Sequence, residues 1–281
     1  MSAFEDVLYE VRDRVAVVTL NRPEALNAFT AAMGVGLRKA VSQAVRDESV
    51  RVIVLTGAGR GFCAGADMKL LQGIKSDGQS AQKRPDTPTD AGEFASDLGP
   101  DVSGHFGGRF GYMLKARKPI IAAINGPAAG LGFVIALYAD VRFAGSEAKF
   151  TTSFAQRGLI AEHGASWLLP RLVGQANALD LLLSARKFGA AEAEKMGLVN
   201  KVFAQATFMD DVMGYARAMA DTVSPRSTAV IKAQLWKSPF QEFGDALAVA
   251  DAEMKKSFAS EDFKEGVAHY VEKRAPAFKG R

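Results

Sequence analysis

The feature that most constrains this sequence is a pair of glycine-rich turns, each lying between an apolar run and the start of a helical stretch. Residues 51–56 (RVIVLT) lead into GAGRGFCAGADMK, and residues 119–125 (PIIAAIN) lead into GPAAGLG. Short apolar runs of this kind are typical of buried strands. Glycine lets the backbone approach its surroundings closely, and a helix that starts there presents unpaired N–H groups. The sequence therefore predicts two strand-to-helix turns, and their N–H groups would form an oxyanion hole if the turns converge.

Two familiar phosphate-binding patterns do not fit these glycines. The stretch GAGRGF has Phe62 where the dinucleotide-binding fingerprint needs a glycine for close packing of helix on strand. No GxxxxGK[ST] motif is present either. On spacing alone, the simpler interpretation is favoured, in which both turns only connect strands to helices.

Composition indicates the class of protein. The 281 residues and 48% apolar content are typical of a soluble globular protein with one large domain. No apolar run reaches the ~18–20 residues of a membrane span, and the acidic N-terminus resembles no signal segment, so we expect a cytoplasmic protein. One cysteine, Cys63, and three scattered histidines predict neither a disulfide nor a metal site. The charge of +4 lacks a basic run interleaved with aromatics, so we expect no nucleic-acid partner.

The rest of the chain alternates strands and helices early and is mostly helical late. The polar segment 75–104, rich in Gly, Pro, Ser and Asp, is predicted to be a loop. We predict a core over residues 1–200 and a helical segment over 201–281. The other predicted elements are strands at 15–20, 140–144 and 148–151, a helix capped by Thr30 and ending near Asp47, a short helix from about Met68, and helix starts at Ser224-Pro225 and Ser260-Glu261.

Four motifs in order, LNRPEALNA, FCAGADMK, PIIAAINGPAAGLG and EGVAHYVEKRAPAFKG, resemble those of the enoyl-CoA hydratase/isomerase (crotonase) family. The resemblance covers nearly the whole chain except the 75–104 segment. It implies an α/β fold, the crotonase (ClpP-like) spiral of ββα units with two near-perpendicular sheets. It also implies a C-terminal helical trimerisation segment, and hence a homotrimer or homohexamer.

The resemblance implies a substrate and a way of binding it. The family binds acyl-CoA thioesters and polarises the thioester carbonyl with two backbone N–H groups, which by motif position belong to Ala66 and Leu131. Coenzyme A is then part of the substrate, and no separate cofactor or metal is expected. The adenine is expected near Ala28, Ala64 and Ala66.

By motif position, the resemblance also implies three residues for the coenzyme A end of the site. Lys69 and Lys273 are candidates for its phosphates, and Tyr270 is a candidate for packing on the adenine. Tyr270 and Lys273 are expected to reach the site from a neighbouring subunit. The alternative for Lys273 is an ordinary solvated helix residue.

The two glutamates with which hydratases of the family hold water are absent. Their positions correspond to Val134 and Phe154, which cannot transfer a proton, so a two-glutamate hydratase is disfavoured. The next acid is Glu162, at a position where isomerases and an aryl-CoA dehalogenase of the family carry a carboxylate. We therefore expect Glu162 to move a proton from C2 to C4 of a 3-enoyl-CoA, while its enolate rests on Ala66 and Leu131.

Other interpretations of these residues remain open. Glu162 could instead cap a helix or pair with Arg157 or Arg171, and the adjacent His163 is an alternative base. His105 is interpreted as a surface residue, and Cys63 as a small buried filler. The acyl group is expected to lie against the 75–110 segment and the aromatic residues Phe106, Phe110, Phe133, Phe154 and Trp167.

Other functions also remain open. Within the family they are hydration by an altered water site and hydrolysis of a thioester or C–C bond. Outside catalysis they are a coenzyme A-binding homologue without activity and an RNA-binding relative. The RNA-binding alternative would need a basic helix face, and the sequence has none.

Overall fold

A computed structural model describes residues 2–68, 94 and 99–281, and two β-sheets organise this part of the chain. The larger sheet starts with antiparallel strands and continues with parallel ones. Its order within the described residues is β1 (Ser2–Phe4), β2 (Val7–Arg12), β3 (Val15–Leu20), β4 (Val52–Gly57), β5 (Ile120–Ile124), β7 (Val141–Gly145) and β10 (Lys201–Phe203). The smaller sheet joins β6 (Ala128–Ala129), β8 (Lys149–Thr151) and β9 (Phe188–Gly189).

The central strands are mostly apolar, and both faces of the larger sheet are covered, as is usual for parallel strands. Every residue of β4 and β5 is buried. One face packs in the main core with α1 (Ala31–Arg46). The other face packs against α6 (Phe208–Thr222), whose Val212 and Ala216 are fully buried. The predicted strands 15–20, 51–56 and 119–125 are confirmed to within one residue at each end.

Helix α1 forms where its sequence pattern predicts it. The Thr30 side chain accepts a hydrogen bond from the Met33 N–H at 2.9 Å, which satisfies one of the free donors at the helix start. Met33, Leu37 and Val41 form its buried stripe, and the helix ends before Asp47. The predicted caps at Ser224 and Ser260 are likewise confirmed, since each side chain accepts from the N–H three residues later.

The remaining helices follow the strands and then dominate the C-terminal third. Helix α4 (Ala165–Ser184) is interrupted at Gly174, whose φ of 76° is not helical. No helix within residues 2–68 and 99–281 is long and apolar enough to cross a membrane. The described helices other than α1 and α6 are α2 (Gly111–Lys115), α3 (Leu131–Leu137), α4 (Ala165–Ser184), α5 (Ala190–Lys195), α7 (Pro225–Lys237), α8 (Phe243–Ala259) and α9 (Glu261–Glu272).

The division at residue 200 stays a prediction, and one more strand of the larger sheet follows it. Strand β10 begins at residue 201 and pairs in parallel with β7, and α6 then covers the sheet. Of the C-terminal helices, α6 packs on the sheet, and α7, α8 and α9 follow it in the chain. The N-terminal strands β1 and β2 were not predicted. Most of the 75–104 loop, and the predicted helix after Met68, lie outside the described residues.

Candidate active site

Two buried asparagines hold the glycine-rich stretch that follows β4. The Asn27 side-chain amide donates to the carbonyl oxygens of Ala58 and Gly61 at 2.9 and 2.8 Å. The Asn125 amide donates to the carbonyl oxygen of Gly57 at 3.0 Å and accepts from the N–H of the same residue at 3.2 Å. The stretch is thus tied into the protein through its carbonyl groups and supports the turn that follows it.

The two glycine-rich turns meet, as expected. The Cys63 N–H donates to the Pro127 carbonyl oxygen, and the Ala129 N–H donates to the Cys63 carbonyl oxygen, both at 3.0 Å. A Cβ atom added at Gly132 would lie 2.0 Å from the Cys63 carbonyl oxygen. The start of α3 can therefore touch the first turn only because residue 132 is glycine.

Each of the two turns presents an unpaired backbone donor. Ala66 lies between two backbone hydrogen bonds, from Phe29 N–H to the Gly65 carbonyl and from Asp67 N–H to the Phe29 carbonyl. Leu131 is the first residue of α3, so its N–H has no partner within the helix. Across the described residues, neither the Ala66 nor the Leu131 N–H donates a hydrogen bond within the chain. Two unpaired N–H groups in touching turns suit an oxygen of a ligand.

Glu162 lies in a turn that packs against the other end of α3. The Tyr138 hydroxyl, at the C-terminal end of this helix, donates to the His163 carbonyl oxygen at 2.9 Å. The Phe110 ring packs beside both, with its centroid 5.7 Å from that of Tyr138 and 6.0 Å from that of His163. One short helix thus has Leu131 at its start and the half-buried Glu162 turn at its end.

The ordinary structural roles considered for Glu162 find no support. Arg157 donates instead to the Ser153 carbonyl, and Arg171 to the Trp167 carbonyl. Helix α4 has Gly164 at its N-cap and no side-chain cap. In the described portion of the chain, the Glu162 carboxylate forms no ion pair or hydrogen bond. Its backbone carbonyl accepts a hydrogen bond from the Ala165 N–H at 3.0 Å.

The positions of the two missing hydratase glutamates are buried and apolar. Val134 is completely buried and Phe154 is 5% exposed, both in the main core. Phe133 packs edge-on against Phe188 of β9 and is 1% exposed. Contact between Phe133 and an acyl group would require this packing to open. The roles predicted for Phe133 and Phe154 in substrate binding stay predictions.

The other candidate side chains lie in distinct surroundings. Burial raises the pKa of the Cys63 thiol to about 12, which agrees with a buried filler and leaves no thiolate at neutral pH. The His163 ring packs against Phe110, whereas the exposed His105 ring stacks on Phe240 with centroids 4.2 Å apart. Phe106 and Trp167 belong to the same aromatic cluster as Phe240.

Several residues predicted for the coenzyme A end are already engaged within the chain. The Ala28 N–H donates to the Ala25 carbonyl, and the Ala28 carbonyl accepts from Arg22 Nη1 at 2.7 Å. The Ala64 N–H donates to the Leu26 carbonyl. For Ala28, an adenine could therefore use only the second lone pair of the carbonyl.

Arg22 and Asp67 are additions that the sequence interpretation missed. Arg22 Nη1 also contacts Asp67 Oδ2 at 2.9 Å and so ties the 22–28 segment to the turn that carries Ala66. The motif LNRPEALNA, which contains Arg22, supported the family resemblance, but no role was predicted for the Arg22 side chain. Lys69 lies outside the described residues.

Tyr270 and Lys273 are not brought to this site within one chain. Both are exposed on α9 or at its end, and Tyr270 is 81% exposed. The residues after α9 return to the opposite end of β4, where Arg51 donates to the Phe278 carbonyl. Their approach from a neighbouring subunit stays a prediction. No group of three or more His, Cys, Asp or Glu side chains in the described ranges is arranged to hold a metal ion.

Comparison with known proteins shows what the chain as a whole resembles. The family model "Enoyl-CoA hydratase/isomerase" matches residues 10–89 and 105–281. The chain is 34% identical over 277 residues to the 1,2-epoxyphenylacetyl-CoA isomerase of Escherichia coli K12, covering 99% of both chains. It is 35% identical over 279 residues to a "probable enoyl-CoA hydratase" of Rhizobium meliloti, covering 99% of this chain and 100% of the relative. A solved structure of an enoyl-CoA hydratase/isomerase from Cupriavidus metallidurans CH34 superposes with a TM-score of 0.85 at 27% identity, covering 100% of this chain and 98% of the other.

Proposed function

Because this chain belongs to the enoyl-CoA hydratase/isomerase family, we propose that it is an acyl-CoA isomerase that shifts a carbon–carbon double bond with one carboxylate, that of Glu162. The observation that carries the proposal is the pair of unpaired N–H groups, of Ala66 and Leu131, in two touching turns. Both would donate to the thioester carbonyl oxygen and stabilise the negative charge that develops there. Loss of one such donor typically lowers kcat ~10²–10³-fold.

The proposed reaction conserves atoms and charge. Glu162 takes a proton from C2 of a 3-enoyl-CoA, and the electron pair of that C–H bond passes into the thioester as an enolate. The enolate then collapses, the double bond moves from C3–C4 to C2–C3, and Glu162 returns its proton to C4. The apolar, buried positions of Val134 and Phe154 support this reaction over hydration, since neither side chain can activate water.

The aromatic cluster supports a more specific candidate substrate. Phe106, Trp167 and Phe240 pack with ring centroids about 6 Å apart. The Phe110 ring contacts the His163 ring, beside Glu162. The E. coli relative is named an isomerase of an aryl-substituted acyl-CoA. An aryl acyl group is therefore the second substrate class to test.

The coenzyme A end is proposed to need a neighbouring subunit. The face of α8 and α9 exposes large apolar side chains, which favours a homotrimer or homohexamer. In such an assembly Lys273 would bind a phosphate of coenzyme A and Tyr270 its adenine. Lys273→Ala should then raise KM for a CoA thioester and leave KM for the matching pantetheine thioester unchanged. We propose a cytoplasmic location, with no separate cofactor and no nucleic-acid or membrane partner.

The central experiment is an isomerisation assay with a panel of aliphatic and aryl-substituted 3-enoyl-CoA substrates. Glu162→Gln should lower kcat by about 10²–10⁴-fold, the usual contribution of a general acid–base group. The exposed, remote Glu48→Gln is the matched control and should keep wild-type activity. Isomerisation at the wild-type rate in Glu162→Gln would contradict the assignment.

The product distinguishes the remaining alternatives. A 3-hydroxyacyl-CoA would indicate hydration, and free coenzyme A or a shortened acyl chain would indicate hydrolysis. Binding of coenzyme A thioesters without turnover of any of them would indicate a non-catalytic homologue.

A further inference from the structure

We infer that Tyr138 is a positioning residue, whose hydroxyl fixes the Glu162 turn against the C-terminal end of α3; this inference rests on the proposed function of Glu162. The hydroxyl donates to the carbonyl oxygen of His163, the residue next to Glu162, at 2.9 Å. Helix α3 begins with the proposed oxyanion donor Leu131 and ends one residue before Tyr138. The carboxylate and the donor are thus held by the two ends of one helix.

The turn that carries Glu162 needs such a support, because its backbone is strained. His163 has a φ of 49° and Gly164 a φ of 78°, so two consecutive residues lie in the left-handed region. A histidine adopts this conformation only at a cost and persists in it where the surroundings enforce it. The Tyr138 hydrogen bond is a contact that holds this backbone, and the Phe110 ring packs against the same pair of side chains.

The fit between Tyr138 and the turn is also steric. A Cβ atom added at Gly164 would lie 2.7 Å from the Tyr138 hydroxyl oxygen, closer than real Cβ contacts allow. The hydroxyl therefore occupies the space beside a residue that has no side chain. Tyr138 is 8% exposed, and burial raises the pKa of its phenol, so the hydroxyl stays a donor at moderately alkaline pH.

The position of the carboxylate matters because proton transfer requires contact between the reacting atoms at about 3–3.5 Å. Without the hydroxyl, the turn can relax from its left-handed conformation, and the Glu162 carboxylate spends less time at C2. Substrate binding depends on other residues, so removal of the Tyr138 hydroxyl should lower kcat and leave KM nearly unchanged.

The test compares Tyr138→Phe with Tyr215→Phe, which removes the hydroxyl of a tyrosine that is 43% exposed on α6. Tyr138→Phe should lower kcat about tenfold, equivalent to about 1.4 kcal/mol in the activation barrier, with KM changed less than twofold. It should also slow the exchange of the C2 proton with solvent deuterium, since this exchange begins with the same proton abstraction. Tyr215→Phe should change none of these values.

A second pair of variants separates positioning from general damage. Gly164→Ala should lower kcat more in the wild-type background than in the Tyr138→Phe background, where the oxygen that meets the new Cβ is absent. Equal effects in the two backgrounds would contradict the steric fit. Thermal unfolding of all variants checks that each is folded at the assay temperature.

The inference and the proposed function fail in different ways. Wild-type kcat and C2 exchange in Tyr138→Phe, beside an inactive Glu162→Gln, would overturn the role of Tyr138 and leave Glu162 as the acid–base group. Full activity of Glu162→Gln would overturn both.

Discussion

Replacement of Gly132 by alanine tests whether the close contact of the two turns creates the proposed oxyanion site. The new Cβ would lie 2.0 Å from the Cys63 carbonyl oxygen and 2.6 Å from the Cys63 Cβ. Real Cβ atoms stay at least 3.0 Å from such neighbours, so the start of α3 must move away from the first turn by about 1 Å. The obstacle is backbone, which cannot rotate out of the way.

That displacement separates the N–H groups of Ala66 and Leu131, which lie on opposite sides of the contact. A misplacement of about 1 Å can lower an enzymatic rate ~10²-fold, and loss of one oxyanion donor costs ~10²–10³-fold. We therefore expect kcat/KM to fall at least ~10²-fold. Overpacking of a buried site should also lower the free energy of unfolding by about 1–3 kcal/mol.

The assay is steady-state kinetics on a 3-enoyl-CoA substrate, together with urea unfolding of the same preparations. Gly214→Ala is the matched control, because a Cβ at Gly214, within α6, would meet nothing within 4 Å. The control should keep its activity and gain about 0.5–1 kcal/mol from helix propensity. A folded Gly132→Ala variant with kcat/KM within threefold of wild type would refute the reasoning.

Three further predictions concern separate parts of the molecule. Lys232→Met leaves the Asp140 carboxylate without its ion pair at 2.7 Å, so the free energy of unfolding in urea should fall by about 3–5 kcal/mol. The exposed Lys255→Met is the control and should leave this free energy unchanged. Equal stabilities of the two variants would show that the pair is dispensable. Burial raises the pKa of Cys63 from 9.0 to about 12, so the native state keeps a proton that the unfolded chain loses. The free energy of unfolding of the wild type should therefore fall relative to Cys63→Ala as pH rises from about 9 towards about 12, and parallel pH profiles would contradict this. Arg22→Ala removes the hydrogen bonds to Ala28 and Asp67. Because this loses ~1 kcal/mol of hydrogen bonding, KM for a CoA thioester should rise about fivefold. The control is Arg12→Ala, which replaces a side chain that is 61% exposed and should leave KM unchanged.

The sequence by itself determined the elements whose causes are local. A β-branched run such as VIVLT has few alternatives to a buried strand, and Thr30 three residues before Met33 specifies a capped helix start. The same holds for Ser224 and Ser260. The order of four motifs also determined the family, and with it the expectation that two turns carry the donors Ala66 and Leu131.

Only the tertiary structure decided how distant residues meet. Nothing in the sequence near Glu162 indicates that Tyr138, 24 residues earlier, would donate to the turn beside it, because hydrogen bonds between distant segments depend on the path of the chain. The contacts of Arg22 with Ala28 and Asp67 likewise join segments that are far apart in the sequence or shaped by the turn between them. Strand β10 is three residues long, and its place in the sheet follows from pairing with β7 rather than from its own pattern. Local patterns specified the two turns, whereas the packing of α3 against Cys63 decided that the two turns touch.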